Sequence, residues 1–135
     1  MKNYFQFLIV DDDNTNNLIC KFTIKRFDKD AVIITYNKPE DALEFLKSDK
    51  FTSSNSITIL FLDVNMPTMT GFDFLRTFGN IPEEIQNKVK IFMLTSSIED
   101  YSSQAVVFPR IKGFFAKPLK LTYLEQIFAE MEKIK

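Results

Sequence analysis

The sequence predicts an α/β fold of three layers, in which helices cover both faces of a doubly wound, five-stranded parallel sheet. Short apolar runs rich in β-branched residues alternate with segments whose apolar residues recur at helical spacing. Such alternation is typical of parallel strands joined by right-handed crossovers. The strand candidates are continuous apolar runs, as expected when both faces of a sheet are buried. At 135 residues the chain can form one substantial core, and we predict a single domain over residues 1–135.

The first third of the chain contains two predicted strands and two predicted helices. The run FQFLIV at 5–10 is a short apolar strand that ends at three consecutive aspartates. A helix is predicted over 14–26, where Asp13 or Asn14 can serve as the N-cap. The run AVIITY at 31–36 has the β-branched content of a second strand. A second helix follows, because Asn37 and Glu40 have the spacing of a capping box.

The middle of the chain is organised around a buried strand that ends in an acid. A polar loop is predicted over 49–56, and the apolar run ITILFL at 57–62 follows as the central strand. Asp63 comes directly after it, and Met66-Pro67 then breaks the chain away from the sheet. A short, Phe-rich helix is predicted over 71–78.

The last third contains two further strands and two further helices. After a loop with a turn of helix near 82–84, strands are predicted over 89–94 and 111–116. The helix between them, about 98–107, is predicted to be weak because its serines and valines have poor helix propensity. The final helix is predicted to begin with a capping box of Thr122 and Glu125.

Composition excludes several classes of chemistry. The chain has no histidine and one cysteine, Cys20, which excludes a Ser-His-Asp triad, histidine general bases and zinc sites built from its own His or Cys residues. The net charge of −1 argues against nucleic acid or an anionic membrane as a main partner. We see no signal peptide and no apolar run long enough to span a membrane, so a cytoplasmic protein is expected.

Four of the five predicted strands end in groups that can carry chemistry. The carboxyl ends of parallel strands meet at one edge of the sheet, where ligands of such folds bind. The groups expected there are Asp11 and Asp12, Asp63, Thr95, and Lys117. Clustered carboxylates repel each other, so a cation or an ammonium must offset their charge.

The same set predicts phosphoryl transfer. Three acids form a hard oxygen site that suits Mg²⁺ better than a soft metal. Asp63 would be the nucleophile and become an aspartyl phosphate, whose oxygens Thr95 and Lys117 would hold. A phosphatase of the haloacid dehalogenase type, which also uses an aspartate nucleophile, is a remote alternative. Such enzymes have a D-x-D pattern on their first strand. Here the candidate nucleophile is on the third strand, and Asn65 stands where a general acid aspartate would be needed.

The chain resembles the receiver domain of two-component response regulators, of which the chemotaxis receiver is the simplest form. The resemblance covers nearly the whole chain, and its motifs are FLIVDDD at 7–13, LFLDVNMPTMTG at 60–71, IFMLTSS at 91–97 and GFFAKPL at 113–119. It implies a flavodoxin-like sheet with the strand order 2-1-3-4-5.

The resemblance also implies roles for single residues. Asp63 is then the phosphoacceptor, and Mg²⁺ is held by Asp11, Asp12, Asp63 and the backbone carbonyl of Asn65. Thr95 is the switch hydroxyl, Lys117 pairs with the phosphate, and a cis bond is expected between Lys117 and Pro118. Phe114 stands at the aromatic switch position and lacks a hydroxyl, so switching here would act through packing. Asn65 and Ser97 stand where the family tunes the lifetime of the phosphate.

We therefore expect a stand-alone receiver that is a signalling phosphoacceptor rather than an enzyme. A sensor histidine kinase or a histidine phosphotransfer protein is expected to supply the phosphoryl group. Phosphorylation would switch the face formed by the fourth predicted helix, fifth strand and fifth helix for binding of a protein target. Two alternatives stay open: a phosphorelay intermediate or phosphate sink, and a pseudo-receiver that serves as a constitutive binding module.

Overall fold

The structure, a computed structural model, describes residues 5–96 and 101–133. Within these residues the chain forms five strands and seven helices. The strands are β1 (Phe5–Val10), β2 (Val32–Tyr36), β3 (Ile57–Asp63), β4 (Val89–Thr95) and β5 (Ile111–Ala116). The helices are α1 (Asn14–Phe27), α2 (Pro39–Lys47), α3 (Asp49–Thr52), α4 (Gly71–Phe78), α5 (Glu83–Gln86), α6 (Ser102–Val107) and α7 (Leu121–Lys133).

The sheet has the order β2-β1-β3-β4-β5, and every pair of neighbouring strands is parallel. This confirms the predicted doubly wound fold and its strand order. Because β3 lies at the centre, its last residue, Asp63, lies between the ends of β1 and β4. Of the helices in the described part of the chain, none combines the length and apolar character needed to cross a bilayer.

Alternate residues of the central strands pack into two separate cores. Leu60 and Leu62 of β3 contribute to one core, which includes residues of α2, α3, α4 and α5. Ile59 and Phe61 contribute to the other, which includes residues of α1 and α7. The period of two in β3 therefore distributes its side chains to both faces. Six residues of this strand are buried, which explains its continuous apolar sequence.

Three local predictions differ from the structure. Asn37 does not cap α2: the N-cap is Lys38, and the Asn37 side chain donates a hydrogen bond to Asn14 Oδ1 at 3.0 Å. Thr122 lies inside α7 rather than at its N-cap, since that helix begins at Leu121. The predicted loop over 49–56 contains the helix α3, because Phe51 is buried in the core.

A lysine holds α3 against the start of β4. The Lys88 ammonium donates hydrogen bonds to the carbonyls of Phe51, Thr52 and Ser54, with the shortest at 2.6 Å. It also lies 5.2 Å from the centre of the Phe51 ring. These carbonyls lie at the end of a short helix, where a cation is favourable.

Side chains cap the first turns of α1 and α4. Asp13 is the N-cap of α1, and its carboxylate accepts hydrogen bonds from the N–H groups of Thr15 and Asn16. Thr70 caps α4 in a reciprocal capping box with Asp73.

The described part of the predicted helix over 98–107 is α6, while Ser97 and residues 98–100 lie outside the described residues.

Candidate functional site

Asp11, Asp63 and Lys117 meet at the carboxyl ends of β1, β3 and β5. The Lys117 ammonium lies 2.6 Å from Asp11 Oδ2 and 3.2 Å from Asp63 Oδ1. Both carboxylates are nearly buried, with 2% of Asp11 and 6% of Asp63 exposed. One ammonium thus bridges two buried acids from neighbouring strands, where charge interactions are stronger than between solvent-exposed groups.

Asp12 adds a third carboxylate to this group. One oxygen each from Asp11, Asp12 and Asp63 can be chosen so that all three lie within 4.8 Å of one another. Asp12 is exposed, whereas the other two acids are buried, so the group opens to solvent on the Asp12 side. Three carboxylates against one ammonium leave an excess of negative charge. These hard oxygen donors therefore fit a divalent cation such as Mg²⁺.

The electrostatics of Asp63 reflect this excess. Burial and the charge of Asp11 raise the pKa of the Asp63 carboxyl from 3.8 to about 6, although Lys117 and the backbone N–H of Asn65 act in the opposite direction. Burial lowers the pKa of Lys117, but its contacts with Asp11 and Asp63 outweigh burial, so that pKa lies above its ordinary value. The ammonium therefore stays charged, whereas Asp63 ionises at some cost.

The first turns of α1 hold Asp11 in place. Asn16 Nδ2 donates to Asp11 Oδ2 at 2.7 Å, and the backbone N–H of Asp13 donates to Asp11 Oδ1 at 2.9 Å. Asn17 Nδ2 donates to the Asp11 carbonyl at 2.9 Å. Sequence reasoning missed the two asparagines. The sequence signal for them is the polar stretch DNTNN at 13–17, which places two amide side chains about one helical turn beyond Asp12.

Thr95 and Lys117 close the site from β4 and β5. Thr95 is fully buried and is the last residue of β4, one position beyond Leu94, the partner of Asp63 in the sheet. The backbone N–H of Lys117 donates to the Thr95 carbonyl at 2.8 Å. The bond between Lys117 and Pro118 is cis, as expected. The structure thus brings the predicted acids and Lys117 together and places Thr95 at the end of the strand next to β3.

The loop after β3 is tightly held at both ends. The backbone N–H of Gly71 donates to the Val64 carbonyl at 2.8 Å, while Asn65 at the turn is exposed. A Cβ atom on Gly71 would lie 2.5 Å from the Asp63 carbonyl oxygen and 2.7 Å from Met93 Cε. Glycine is therefore required by the close approach of α4 to the backbone of Asp63.

Phe114 belongs to a row of aromatic rings on the face of β5 that packs against the core containing α4. Its ring stacks on Tyr101 at 5.1 Å with an angle of 9° between the planes. Tyr101 contacts Phe72 of α4 at 5.9 Å, and Phe72 stacks on Phe108 at 5.8 Å. The row connects β5 with α4 and with the residue after α6. Ser97, the other predicted tuning position, lies outside the described residues.

The sequence is similar to that of a curated regulator protein. The chain is 29% identical over 119 residues to stress response regulator protein 1 of Scheffersomyces stipitis, covering 88% of this chain and 38% of that protein. It thus spans less than half the length of that relative.

Solved structures show the same fold. A two-component response regulator from Cytophaga hutchinsonii has a TM-score of 0.85 at 19% identity, covering 98% of this chain and 99% of that one. A response regulator receiver protein from Dyadobacter fermentans has a TM-score of 0.82 at 24% identity, covering 93% and 96%. The family model of the response regulator receiver domain matches residues 7–129. With that match and the acidic site at the carboxyl ends of its sheet, the chain belongs to the response regulator receiver domain family.

Proposed function

We propose that Asp63 accepts a phosphoryl group from a phosphohistidine on a sensor kinase or a histidine phosphotransfer protein. A carboxylate oxygen of Asp63 would attack phosphorus, the phosphorus–nitrogen bond would break, and the imidazole would leave. The chain has no histidine, so the donor lies outside these 135 residues. The observation that carries the proposal is the position of Asp63, nearly buried at a strand end and 3.2 Å from the Lys117 ammonium.

Lys117 supports this role by charge. Its ammonium already contacts the acceptor carboxylate and Asp11, so it is positioned to neutralise an oxygen of the arriving phosphoryl group. Thr95 is the proposed second contact, from the end of β4. Phosphoryl transfer depends mainly on such positioning and neutralisation of charge.

A Mg²⁺ ion fits the same residues. Asp11, Asp12 and Asp63 would hold it together with the backbone carbonyl of Asn65, and its charge would offset that of the phosphoryl oxygens. Lys117 alone leaves the pKa of Asp63 raised to about 6, so a further cation would make the carboxylate nucleophile more available. We therefore expect phosphorylation to require Mg²⁺.

Mass spectrometry of the intact chain tests the proposal. Acetyl phosphate with Mg²⁺ should add the mass of one phosphoryl group, and EDTA should prevent the addition. Asp63→Asn should abolish it, whereas Asp41→Asn, an exposed acid on α2, should leave it unchanged. Labelling that survives Asp63→Asn would contradict the assignment of the acceptor. An unchanged mass of the parent chain would favour a pseudo-receiver.

For the output, we propose a binding switch on the face formed by α6, β5 and α7. Val106 and Val107 of α6 are 81% and 61% exposed, so this helix offers an apolar surface to a partner. The aromatic row of Phe114 and Tyr101 supplies a path from β5 toward it. Hydrogen exchange of residues 101–108 should change when a phosphoryl analogue binds. Equal protection in both states would contradict the switch.

The relay alternative predicts a different result. In a relay or sink, phosphate would move from Asp63 to a histidine protein faster than it hydrolyses. Following label from the phosphorylated chain to candidate phosphotransfer proteins distinguishes the two modes. We propose that the 135 residues act as a single receiver unit in either mode, which phosphorylation of the isolated chain would test.

A further inference from the structure

A cleft lies away from the acidic site, between the N-terminal parts of β4 and β5 and the helix α7. Its volume is about 460 Å³. Phe92 of β4, Phe115 of β5, and Ile127 and Met131 of α7 form most of its apolar wall. Sites for small molecules are usually of this size and are mostly apolar, with a few polar groups that orient the ligand.

Gly113 opens this cleft in the middle of β5. It has no positive φ, and an added Cβ would meet Phe92 Cδ1 at 3.6 Å and Phe115 Cε2 at 3.9 Å, which are ordinary contacts. Neither the backbone conformation nor a clash at Cβ therefore requires glycine, although glycine weakens a strand. The missing side chain leaves space over two phenyl rings whose centres lie 5.9 Å apart.

A bulge in β5 brings a charge to the same place. Ile91 pairs with Ile111, but the next residue of β4, Phe92, pairs with Gly113. Lys112 is therefore the extra residue of the bulged strand. Bulges change the direction of side chains and often lie beside functional sites. Lys112 lines the cleft together with Lys90 of β4.

Two lysines bring positive charge to the cleft. Lys90 is partly buried, and its ammonium donates to the Asn87 carbonyl at 3.5 Å. Among the described residues, neither Lys90 nor Lys112 makes an ion pair. Burial and the charges of Lys112 and Arg110 lower the pKa of Lys90. Glu130 also lines the cleft but already has an interaction of its own.

We propose that this cleft binds a small amphipathic anion, with its aromatic or aliphatic body against Phe92 and Phe115 and its anionic group at Lys90 and Lys112. The apolar wall would supply most of the contact area. The two ammonium groups would select an anion over a neutral compound of the same shape. This site is separate from the phosphoacceptor and does not depend on the function proposed for Asp63.

Fluorescence titration of the whole chain with anilinonaphthalene sulfonate tests the proposal. The uncharged comparison is phenylnaphthylamine, which has the same rings without the sulfonate. We expect saturable binding of the sulfonate at one site. Lys90→Met with Lys112→Met should weaken it about tenfold and change the uncharged compound less than about twofold. Lys47→Met with Lys50→Met, the same charge change at exposed positions of α2 and α3, should leave both affinities unchanged.

Filling the cleft gives a second, independent variant. Gly113→Val suits a strand and places methyl groups where the ligand would lie, so it should weaken both compounds. On the unmodified chain, decanoate should displace the sulfonate at a lower concentration than decanol does. If neither the substitution of Lys90 and Lys112 nor Gly113→Val weakens sulfonate binding, the dye binds elsewhere and the proposal is wrong. Equal weakening of the charged and uncharged compounds by the lysine substitutions also contradicts it.

Discussion

Replacing Asp63 by asparagine should stabilise the metal-free protein at neutral and alkaline pH. Burial and Asp11 raise the pKa of Asp63 from 3.8 to about 6, so ionising this carboxyl is harder in the folded chain than in the unfolded one. A shift of about two units corresponds to about 3 kcal/mol of lost stability above pH 7. Asparagine has nearly the same shape and carries no charge.

The pKa of about 6 already includes the opposing contact of Asp63 with Lys117, so that contact is not subtracted again. In the variant the ammonium keeps its contact with Asp11 at 2.6 Å. We therefore expect a gain of about 2 to 3 kcal/mol in the free energy of unfolding. For a chain of this size, that gain should raise the urea midpoint by about 1 M.

Urea unfolding in EDTA at several pH values is the appropriate assay. Because the folded-state pKa of Asp63 lies above the unfolded value, the acid destabilises the parent protein most at pH 8. The penalty should shrink as pH falls through about 6, and both proteins should become similar near pH 4. Asp41→Asn should change stability by less than about 0.5 kcal/mol. A variant that is no more stable at pH 8, or equally stabilised at all pH values, would refute the reasoning.

Three further predictions concern packing, capping and reactivity. Gly71→Ala should lower the free energy of unfolding by about 2 kcal/mol, because its Cβ would press on the Asp63 carbonyl; Gly113→Ala, with ordinary contacts, is the control in the same urea assay. Asp13→Ala should cost about 1 kcal/mol through loss of the α1 cap, and Asp13→Asn should restore most of it. Cys20 is buried and burial raises its pKa to about 12, so a thiol reagent should label it only at the rate of unfolding; fast labelling of the folded protein would contradict its burial.

The strands could be predicted from sequence because both sheet faces are buried. β1 and β5 have the predicted bounds, while β3 and β4 each extend one residue further, to Asp63 and Thr95. In these elements the burial requirement is local and continuous. The strand-end position of each site residue then followed from the parallel order of the strands.

The caps were predicted less well because they depend on distant contacts. Asn37 is a residue type that often caps helices, yet its amide donates a hydrogen bond to Asn14 at the start of α1. The helix α3 was missed because a short polar sequence gives little periodicity, and only the fold shows that Phe51 enters the core. Similarly, the polar stretch after the acids places Asn16 and Asn17 near Asp11, but only the fold shows which oxygens of Asp11 their amides contact.

The hydrogen bond between Gly71 and Val64 has a consequence for how the site can diverge. It fixes the two ends of the loop, so residues inserted at the exposed tip beyond Asn65, near Pro67 and Thr68, need not displace the strand or α4. The conformational entropy lost on closing a loop grows only slowly with the length of the loop, so lengthening this one costs little. Sequence at the tip is thus free to vary with the partner, whereas Gly71 is restricted by the backbone against which it lies.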